Sequence, residues 1–282
     1  MGAPDVTVIV VAYRSAAHLP GALAALPAAT AGLAAELVVV DNGPGEGVGD
    51  LVRRVAPAAR LIVNERNLGF AAAVNQAARI AQGRHLLLLN PDARPEPGCV
   101  GRLARELDGQ PQAALAGPRL FHPDGRPLPS AWPAPGLRTL AYEAFLLHNL
   151  MPRSPLRGVK AARPDPMDVD CLSGACLLVR RSAFEALGGL DERFFIYYED
   201  TDLGVRARAA GFRVRLVPEA RAVHAVGGSS FQDRREFLIR FHESRQRFLA
   251  KHFRGLKGAA LQGLHWVGFG LRTAVDRLRG DV

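Results

Sequence analysis

The first hundred residues alternate between short apolar runs and alanine-rich stretches. The apolar runs are continuous, which is typical of strands covered on both faces of a sheet. The pattern predicts strands over Val6–Ala12, Leu37–Val40, Leu61–Val63 and Leu86–Leu89, and helices over Ala17–Leu26, Val48–Ala56 and Phe70–Ala81. Strands that alternate with helices indicate right-handed βαβ units, so the predicted fold class is α/β with a mostly parallel sheet.

Polar residues follow each of the four predicted strands. They are Tyr13-Arg14, Asp41-Asn42, Asn64 and Asn90-Pro91-Asp92. Ligands of such sheets bind beyond the carboxyl ends of the strands, so we expect these four strand ends to converge on one crevice.

The pattern changes after the first hundred residues. The segment Pro118–Pro166 is rich in Pro and Arg and predicts an irregular region with one short helix, of the kind that forms a functional or a disordered loop. A strand is predicted over Cys171–Arg180, a helix over Glu199–Ala210 and a strand over Arg213–Val217.

Two apolar stripes near the C-terminus predict two amphipathic helices. The first stripe consists of Phe237, Leu238, Phe241, Phe248, Leu249 and His252, and the second of Leu256, Ala260, Leu264, Val267, Leu271, Val275 and Leu278.

Composition is that of a globular protein, with 48% hydrophobic and 22% charged residues among 282. The three cysteines have no ligand spacing and are odd in number, which favours reduced thiols and a cytosolic location over a disulfide framework. The N-terminus lacks a charged leader with an apolar stretch, and no apolar run reaches the length of a membrane span.

The net charge of +9 is concentrated in the tail. From Arg234 onward there are eleven Lys/Arg and four Asp/Glu, whereas the first 233 residues hold 25 basic and 23 acidic residues. We therefore divide the chain into a body, 1–233, with halves 1–117 and 118–233, and a basic helical tail, 234–282. Such a tail suits an anionic surface, lipid or nucleic acid, or equally a solvated helix face.

The tripeptide Asn90-Pro91-Asp92 places a carboxylate on a rigid turn at a strand end. A hard divalent cation prefers such an oxygen ligand and bridges it to diphosphate oxygens. The alternative is an Asx-type turn with no ligand.

The segment 194–203 joins an aromatic run to three carboxylates at a helix start. One interpretation is structural: the three acids form a capping cluster at the helix N-terminus, a role that suits Asp202 well. On the functional interpretation, a carboxylate desolvated by aromatics has the raised pKa that a general base needs. Helical spacing places Glu199 and Asp202 on one face and leaves Asp200 to face a substrate.

His224 follows the last predicted strand of the body, among apolar neighbours. It is either a packing residue or a ligand. The segment Gly227-Gly228-Ser229-Ser230 after it would let a loop close over an anion.

In sequence order, these segments resemble the motifs of a known enzyme family. The matching segments are VIVVAYR at 8–14, VVVDNG at 38–43, NLGFAAAVN at 67–75, LLNPD at 88–92, CLSGACLLVR at 171–180 and FFIYYEDTDLGVRARAAG at 194–211. The chain resembles a family 2 glycosyltransferase with the GT-A fold, close to the rhamnosyltransferase-like branch, from about Val6 to His224. That fold is a Rossmann-like sheet flanked by helices, here with a C-terminal helical extension.

The resemblance implies a role for each matching residue. Asp200 would be the catalytic base, Asp92 would bind Mg²⁺ or Mn²⁺, and His224 would be the second metal ligand. Asp41 would contact the base or ribose of the nucleotide. The other residues implied in substrate binding are Ala12, Tyr13, Arg14, Asn67, Gly69, Phe70, Asn75, Asn90, Gly174 and Glu199. The chain departs from the general motifs at Asn90, where the first Asp of D-x-D stands, and at Ala73, where relatives often have Gly.

The resemblance implies an inverting transfer from a nucleotide-diphosphate sugar. The donor that it favours is dTDP-rhamnose, with UDP- and GDP-sugars as alternatives. The acceptor would be a glycan or a polyprenyl-diphosphate-linked glycan of the cell envelope. The tail would then lie on the inner face of the cell membrane or pack on the body. The alternatives are a sugar nucleotidyltransferase, a nucleic-acid- or membrane-binding protein, and a catalytically inactive relative. The first lacks a glycine-rich phosphate loop after the first strand, and the second lacks basic residues interleaved with aromatics.

Overall fold

The apolar runs of the first hundred residues form four parallel strands with helices between them. The computed structural model describes residues 2–43, 45, 47–145, 147–151, 154, 156, 158–159, 165–225 and 234–278. The first seven elements are β1 (Val6–Ala12), α1 (Leu19–Ala29), β2 (Ala35–Asp41), α2 (Val48–Val55), β3 (Arg60–Val63), α3 (Phe70–Ile80) and β4 (His85–Leu89). Each predicted strand and helix of this region is confirmed, with boundaries shifted by up to three residues.

Further elements complete the sheet and cover it. They are β5 (Ala93–Pro95), α4 (Cys99–Gly109), β6 (Ala113–Phe121), β7 (Pro127–Leu128), β8 (Ala131–Trp132), α5 (Leu137–Ala144), α6 (Leu147–Leu150), β9 (Met167–Asp168), β10 (Cys171–Leu172), β11 (Cys176–Arg180), α7 (Arg181–Ala186), α8 (Glu199–Ala209), β12 (Arg213–His224), α9 (Arg234–His252) and α10 (Gly255–Leu278).

The central sheet is mixed, with the order β3-β2-β1-β4-β11-β6-β12-β5 in the described residues. Strands β1 to β4 are parallel, and β12 is parallel to β6. Strand β11 lies antiparallel between β4 and β6. The predicted α/β class with a mostly parallel sheet is confirmed, and the carboxyl ends of β1, β2 and β4 lie at one edge.

Helices cover both faces of this sheet. One core layer packs β1, β4 and β11 against α1 and α4, and the other packs the opposite strand faces against α3, α7 and α8. Helix α4 was not predicted, although Cys99, Val100, Leu103, Ala104 and Leu107 are all buried at helical spacing. All three cysteines are buried and free.

Two predicted strands differ from the structure. The strand expected over Cys171–Arg180 is interrupted at 173–175, because β10 pairs with β8 in a separate two-stranded sheet while β11 joins the central one. The strand expected over Arg213–Val217 continues to His224 through an irregularity between Val217 and Arg221. This continuation carries His224 to the same edge as the end of β4, since Ala93 and His224 are paired.

Helices α9 and α10 pack on the body through a third core cluster. Phe248 and Leu249 of α9 and Leu261 of α10 meet Leu140 and Phe194 there. The division at residue 233 stays a prediction, since 226–233 lie outside the described residues; the division at 117 falls within β6.

The predicted apolar stripe of α10 is covered only in part: Leu264 packs against the third cluster, and the side chains of 272–278 lie outside the described residues. Leu256 is 91% exposed and Val267 and Leu271 are also exposed, whereas Leu261 and His265 are buried. The face that packs contains Gly268, where an added Cβ would lie 2.6 Å from Cα of Ala144 in α5. A close helix crossing over glycine therefore decides which face is covered. No described helix has both the length and the apolar character needed to cross a bilayer.

Candidate functional site

A cavity of about 560 Å³ opens at the edge where β1 and β4 end. It extends from this edge to segment 129–139 and to the start of α8. The sequence-predicted residues that line it are Tyr13, Asn67, Gly69, Phe70, Asn90, Gly174, Glu199, Asp200 and His224. Residues from distant parts of the chain are thus brought together in one cleft.

Asp92 and His224 meet beside this cavity. The turn after β4 is closed by a hydrogen bond from the Ala93 N–H to the Asn90 carbonyl at 3.0 Å. It leaves Asp92 4% exposed, with His224 Nε2 3.2 Å from its Oδ1. That contact lacks hydrogen-bond geometry, so Oδ1 is buried without a hydrogen-bond partner in the described structure. A buried, unsatisfied carboxylate oxygen facing an imidazole is a costly arrangement that a cation would relieve.

Asp200 lies at the start of α8 and borders the same cavity. Its Oδ2 accepts a hydrogen bond from the Gly174 N–H at 2.8 Å, and its Oδ1 accepts one from the Thr201 N–H at 2.6 Å. Burial raises the pKa of Asp200, and these hydrogen bonds offset part of the rise. Oδ1 also accepts from the Thr201 hydroxyl at 3.2 Å. The carboxylate is therefore held in one orientation, and Oδ2 retains a second lone pair for a substrate proton.

Glu199 is 7% exposed and also borders the cavity. Burial, followed by the nearby Asp200 charge, raises the pKa of Glu199 well above its usual value. Its Oε2 has no hydrogen-bond partner in the described structure. Burial thus raises the pKa of both adjacent acids, but Asp200 is held by backbone hydrogen bonds whereas Glu199 has an oxygen without a hydrogen-bond partner in the described structure.

The prediction that Glu199 and Asp202 share one helix face is wrong. Glu199 and Asp202 do not share a face toward one environment, because Glu199 borders the cavity while Asp202 is fully buried against α9. The reason lies just before α8, where Tyr197 and Tyr198 both have left-handed backbone conformations, with φ of 66° and 69°. This strained entry presents the first two helical residues together to the cavity.

Asn42 organises the loop after β3. The sequence placed it at a predicted strand end, but its position there gave it no role of its own. Its Nδ2 donates to Asn67 Oδ1 at 2.9 Å and to the Gly69 carbonyl at 3.3 Å. Its Oδ1 accepts from Asn64 Nδ2 at 3.0 Å and from the Leu68 N–H at 3.2 Å. The signal was its position at a strand end, directly after Asp41. Asn42 itself borders the cavity and fixes the loop that carries Asn67 and Gly69.

Gly69 joins the two halves of the site. It has φ of 87° and ψ of 163°, a conformation almost restricted to glycine, and an added Cβ would lie 2.7 Å from the Phe195 carbonyl oxygen. The adjacent Phe70 N–H donates to that carbonyl at 2.7 Å. The backbone of Gly69 is therefore in close contact with the segment before α8.

Asn75 does not line this cavity, contrary to the prediction. Its Nδ2 donates to the Leu190 carbonyl at 2.8 Å, and its Oδ1 accepts from the Leu190 N–H at 3.0 Å. Its amide is used to attach α3 to the segment that leads to α8. The spacing of Asn67 and Asn75 could not distinguish a lining residue from this structural link.

Four other sequence-predicted residues lie next to the cavity rather than on its lining. Ala12 is buried, and its carbonyl accepts from the Asn42 N–H at 2.8 Å. Arg14 has a left-handed φ of 50°, with its guanidinium 5.3 Å from the Tyr13 ring centroid. Asp41 is half-buried at the end of β2, and Asp92 contacts His224, which lines the cavity. Their predicted roles stay predictions.

The far half of the cavity is mainly apolar and includes residues of α9. Trp132, Pro133 and Pro135 border it, as do Phe241 and Arg245 of α9. The apolar stripe of α9 predicts that Phe241 packs, and no pattern in the sequence singles out Arg245. Arg245 is one of several basic residues in α9, so the sequence does not indicate that it is buried. Its burial depends on how α9 packs on the body.

The described residues contain no cluster of three or more His, Cys, Asp or Glu suited to a metal. The pair Asp92 and His224 supplies two ligands, and Mg²⁺ or Mn²⁺ commonly completes its coordination with water and substrate phosphate oxygens. The predicted loop at 227–230 lies outside the described residues. The site can therefore place a diphosphate near Asp92 and His224 and a hydroxyl near Asp200.

Comparison with known proteins identifies similar sequences. The profile of "Glycosyl transferase family 2" matches residues 7–188, which ends before Asp200 and His224. The chain is 35% identical over 271 residues to the N-acetylglucosaminyl-diphospho-decaprenol L-rhamnosyltransferase of Mycobacterium tuberculosis, covering 90% of this chain and 87% of that protein. It is 25% identical over 197 residues to a dTDP-rhamnosyl transferase of Shigella flexneri, covering 69% of this chain and 61% of that protein.

Solved structures with similar folds include a mannosyltransferase of Pyrobaculum calidifontis in complex with GDP-Man and Mn²⁺. It has a TM-score of 0.60 and 20% identity, over 95% of this chain and 70% of that one. TarS of S. aureus has a TM-score of 0.57 and 15% identity, over 92% of this chain and 42% of that one. At these identities the similarity concerns the fold.

Proposed function

Since the chain belongs to the family 2 glycosyl transferases, we propose that it transfers rhamnose from dTDP-rhamnose to an N-acetylglucosaminyl-diphospho-polyprenol. This reaction would contribute to cell-envelope polysaccharide synthesis. The proposal of donor and acceptor is supported by 35% identity to the mycobacterial L-rhamnosyltransferase over most of both chains. The observation that carries the reaction type is that Asp200, Glu199 and His224 border one cavity, with Asp92 beside His224.

The transfer is a single in-line displacement at the anomeric carbon. The acceptor oxygen forms a bond to that carbon as the bond to the diphosphate oxygen breaks, and Asp200 takes the hydroxyl proton. Asp200 suits this role because its two backbone hydrogen bonds fix its orientation and burial raises its pKa. With Asp200 as the base and the acceptor oxygen attacking directly, the configuration at the anomeric carbon is inverted.

Asp92 and His224 would hold a divalent cation, Mg²⁺ or Mn²⁺. The buried Oδ1 of Asp92 without a hydrogen-bond partner and the neighbouring Nε2 of His224 fit such an ion. When bound, the cation would neutralise charge on the leaving diphosphate. Asn90 stands beside this pair on the cavity lining and adds an uncharged side chain.

The loop carrying Asn67 and Gly69, together with Tyr13, would bind the nucleotide. Asn42 fixes this loop through four hydrogen bonds, so the surface exists before the donor arrives. Asp41, at the end of β2, would contact the base or ribose, as predicted.

The proposed function is tested by a donor screen followed by a transfer assay. Thermal unfolding is measured with dTDP-rhamnose, UDP-sugars and GDP-sugars, each with and without Mn²⁺, because a ligand of the native state raises apparent stability. We expect the largest Mn²⁺-dependent rise with dTDP-rhamnose, and transfer from it to N-acetylglucosaminyl-diphospho-lipid. A larger rise with another sugar nucleotide would reassign the donor, and an absence of transfer from every donor would refute the proposal.

We further propose that the protein works at the inner membrane surface, where its acceptor lies. Exposed apolar side chains occur on α5 and α6, at Leu137 and Leu150, and on α10, at Leu256, Trp266 and Val267. Helices α5 and α10 pack together, so these side chains belong to adjoining elements. Apolar side chains next to basic ones are typical of an interfacial surface.

Flotation with anionic lipid vesicles tests this contact. The double variant Leu256→Ser and Val267→Ser should lose most of the vesicle-bound fraction. The control is Val63→Ser, which removes an exposed apolar side chain from β3, at the edge of the sheet. Equal flotation of all three proteins would argue against membrane binding through α10.

A further inference from the structure

One buried cation lies in the apolar half of the cavity. Arg245 of α9 is 6% exposed and is the only Lys or Arg among the described lining residues. Its Nη2 lies 2.7 Å from Oε2 of Glu143, which is partly exposed. Its Nε is buried and has no hydrogen-bond partner in the described structure. A guanidinium offers five N–H donors, so this one is not saturated by its single carboxylate.

The position of Arg245 is fixed by its neighbours. Ser244 Oγ donates to the Ile196 carbonyl at 2.7 Å, which attaches α9 to the segment just before α8. On the next turn of α9, Phe248 packs against Tyr198, with ring centroids 5.4 Å apart. The unsaturated donor is therefore held rigidly near the strained entry of α8, and keeping a buried cation incompletely paired is costly unless a ligand completes it.

The neighbourhood of Arg245 differs from that of the proposed metal pair. Burial raises the pKa of both left-handed tyrosines, but the charges that modify it differ: Glu199 and Asp92 for Tyr197, and Arg245 and Glu143 for Tyr198. Around Arg245 the lining is apolar, with Trp132, Pro133 and Phe241. One cation beside a broad apolar wall complements an anionic amphiphile.

We propose that Arg245 forms an anion subsite that binds the diphosphate of the lipid-linked acceptor. This inference rests on the proposed function and adds to it the group that recognises the acceptor. The Nε–H and the remaining Nη donors bind diphosphate oxygens, and the apolar wall receives the first part of the lipid. The C-terminal helix α9 thereby supplies part of the acceptor site.

The test compares two soluble acceptors with the same sugar and the same short alkyl chain. One carries N-acetylglucosamine on a diphosphate, and the other carries it on a neutral ether oxygen. The variant Arg245→Gln should lower kcat/KM for the diphosphate acceptor by about ten- to a hundredfold, as expected for a charge-assisted hydrogen bond. Its kcat/KM for the neutral acceptor should change by less than about threefold. The preference, which is the ratio of kcat/KM for the diphosphate acceptor to that for the neutral one, should therefore fall by about the same factor as kcat/KM for the diphosphate acceptor.

Two further variants distinguish recognition from simple structural pairing. Arg254→Gln removes the same charge from an exposed position outside the cavity lining and should keep the preference. Glu143→Gln removes the carboxylate that competes for Arg245 and should raise the preference. If Glu143→Gln abolished the preference for the diphosphate acceptor, as Arg245→Gln is expected to do, the pair of Arg245 and Glu143 would have a structural role. This result would overturn the proposal.

Donor binding separates the two possible diphosphates. The dTDP affinity of Arg245→Gln, measured by calorimetry with Mn²⁺, should equal that of the unaltered protein. A tenfold loss of dTDP affinity would assign Arg245 to the donor and overturn the acceptor subsite. Equal losses of kcat/KM on both acceptors would overturn it too. Absence of transfer by the unaltered protein would instead refute the proposed function, so the two failures are distinguishable.

Discussion

The ammonium nitrogen of Lys251 lies 2.6 Å from Oδ1 of Asp202, a carboxylate whose side chain is fully buried. The same oxygen is 2.7 Å from His252 Nε2, and Oδ2 accepts from Arg206 Nε at 2.6 Å. Asp202 follows Asp200 by two residues on α8, and Lys251 and His252 end α9. Ion pairs with Asp202 thus attach α9 to α8, the helix that carries the proposed base.

We expect Asp202→Asn to destabilise the fold by roughly 2–3 kcal/mol, because it removes the shared carboxylate of three partly buried basic side chains, of which Lys251 keeps a second partner in Asp191. Urea unfolding measures the loss. The matched control is Asp50→Asn, which removes an exposed partner of Arg53 and should cost less than about 1 kcal/mol. Similar free energies of unfolding for the two variants would show that this network is not a main attachment of α9.

The same carboxylate predicts a dependence of stability on pH. Burial alone would raise the pKa of Asp202, but hydrogen bonds from His252 and Lys251 and the Arg206 charge hold it below its usual value. A lowered folded pKa stabilises the protein above the unfolded value of about 3.9, and this stabilisation is lost as the pH falls through the folded value. Asp202→Asn should therefore show a smaller loss of stability between about pH 5 and pH 2 than the unaltered protein, which acid titration in urea measures.

The part of the site that local sequence could predict is the part built by local structure. Asp92 follows a buried strand on a proline turn, and Asp200 begins a helix after an aromatic run, so strand and helix signals place Asp200 on the cavity lining and Asp92 beside His224, which lines it. Asn90 and Tyr13 follow from the same rule that ligands bind beyond parallel strand ends.

The rest depends on packing that periodicity does not encode. Arg245 became a cavity residue only because α9 docks on α5 and α8, and the covered face of α10 is set by the close approach at Gly268. Asn42 and Asn75 have the same side-chain type, yet one borders the cavity and the other links α3 to Leu190. The partner of an amide is a tertiary property, which residue type and spacing leave open.

Substitution of the two adjacent acids should separate their roles. Asp200→Asn removes the proposed base and should lower kcat by about a hundredfold or more, while dTDP binding survives. Glu199→Gln should keep kcat within about tenfold, because the raised pKa of Glu199 means that its neutral form is favoured. Steady-state kinetics and calorimetry check both. A greater loss in Glu199→Gln would transfer the base role to Glu199, and lost dTDP binding in Asp200→Asn would reassign Asp200 to binding.

Glu199 should also reduce stability as the pH rises. The unfolded carboxyl ionises near pH 4.3, whereas the buried one keeps its proton to higher pH, so the folded state binds more protons in between. The free energy of unfolding then falls as the pH rises above about 4.3. Relative to the unaltered protein, Glu199→Gln should become more stable between pH 4 and pH 8, as urea unfolding at a series of pH values measures. A constant difference over this range would contradict burial of a neutral acid.

The proposed cation pair predicts linked losses. Asp92→Ala and His224→Ala should each lower Mn²⁺ affinity by about tenfold or more in the presence of dTDP, together with activity. Calorimetric Mn²⁺ titration measures the affinity. Glu96→Ala is the control, because this carboxylate near β5 pairs with Arg221 and is not a lining residue. Unchanged Mn²⁺ binding in both substituted proteins would refute the assignment of the pair.

Gly69 should be intolerant of even one added methyl group. In Gly69→Ala the new Cβ would lie 2.7 Å from the Phe195 carbonyl oxygen and 2.8 Å from a ring carbon of that residue, in a backbone conformation unfavourable for alanine. Relief requires the segment before α8 to move away from the Asn67 loop. We expect a loss of about 1–3 kcal/mol in the free energy of unfolding, and a lower kcat/KM for both substrates.

The matched control is Gly101→Ala within α4, where an added Cβ meets no atom within 4 Å. Alanine in an open helix position should raise the free energy of unfolding by up to about 1 kcal/mol. The same substitution is thus expected to have opposite signs at two glycines of one chain, because only Gly69 holds two halves of a site in contact. If Gly69→Ala kept its stability and its kcat/KM, the contact between Gly69 and Phe195 would have no part in shaping the cavity.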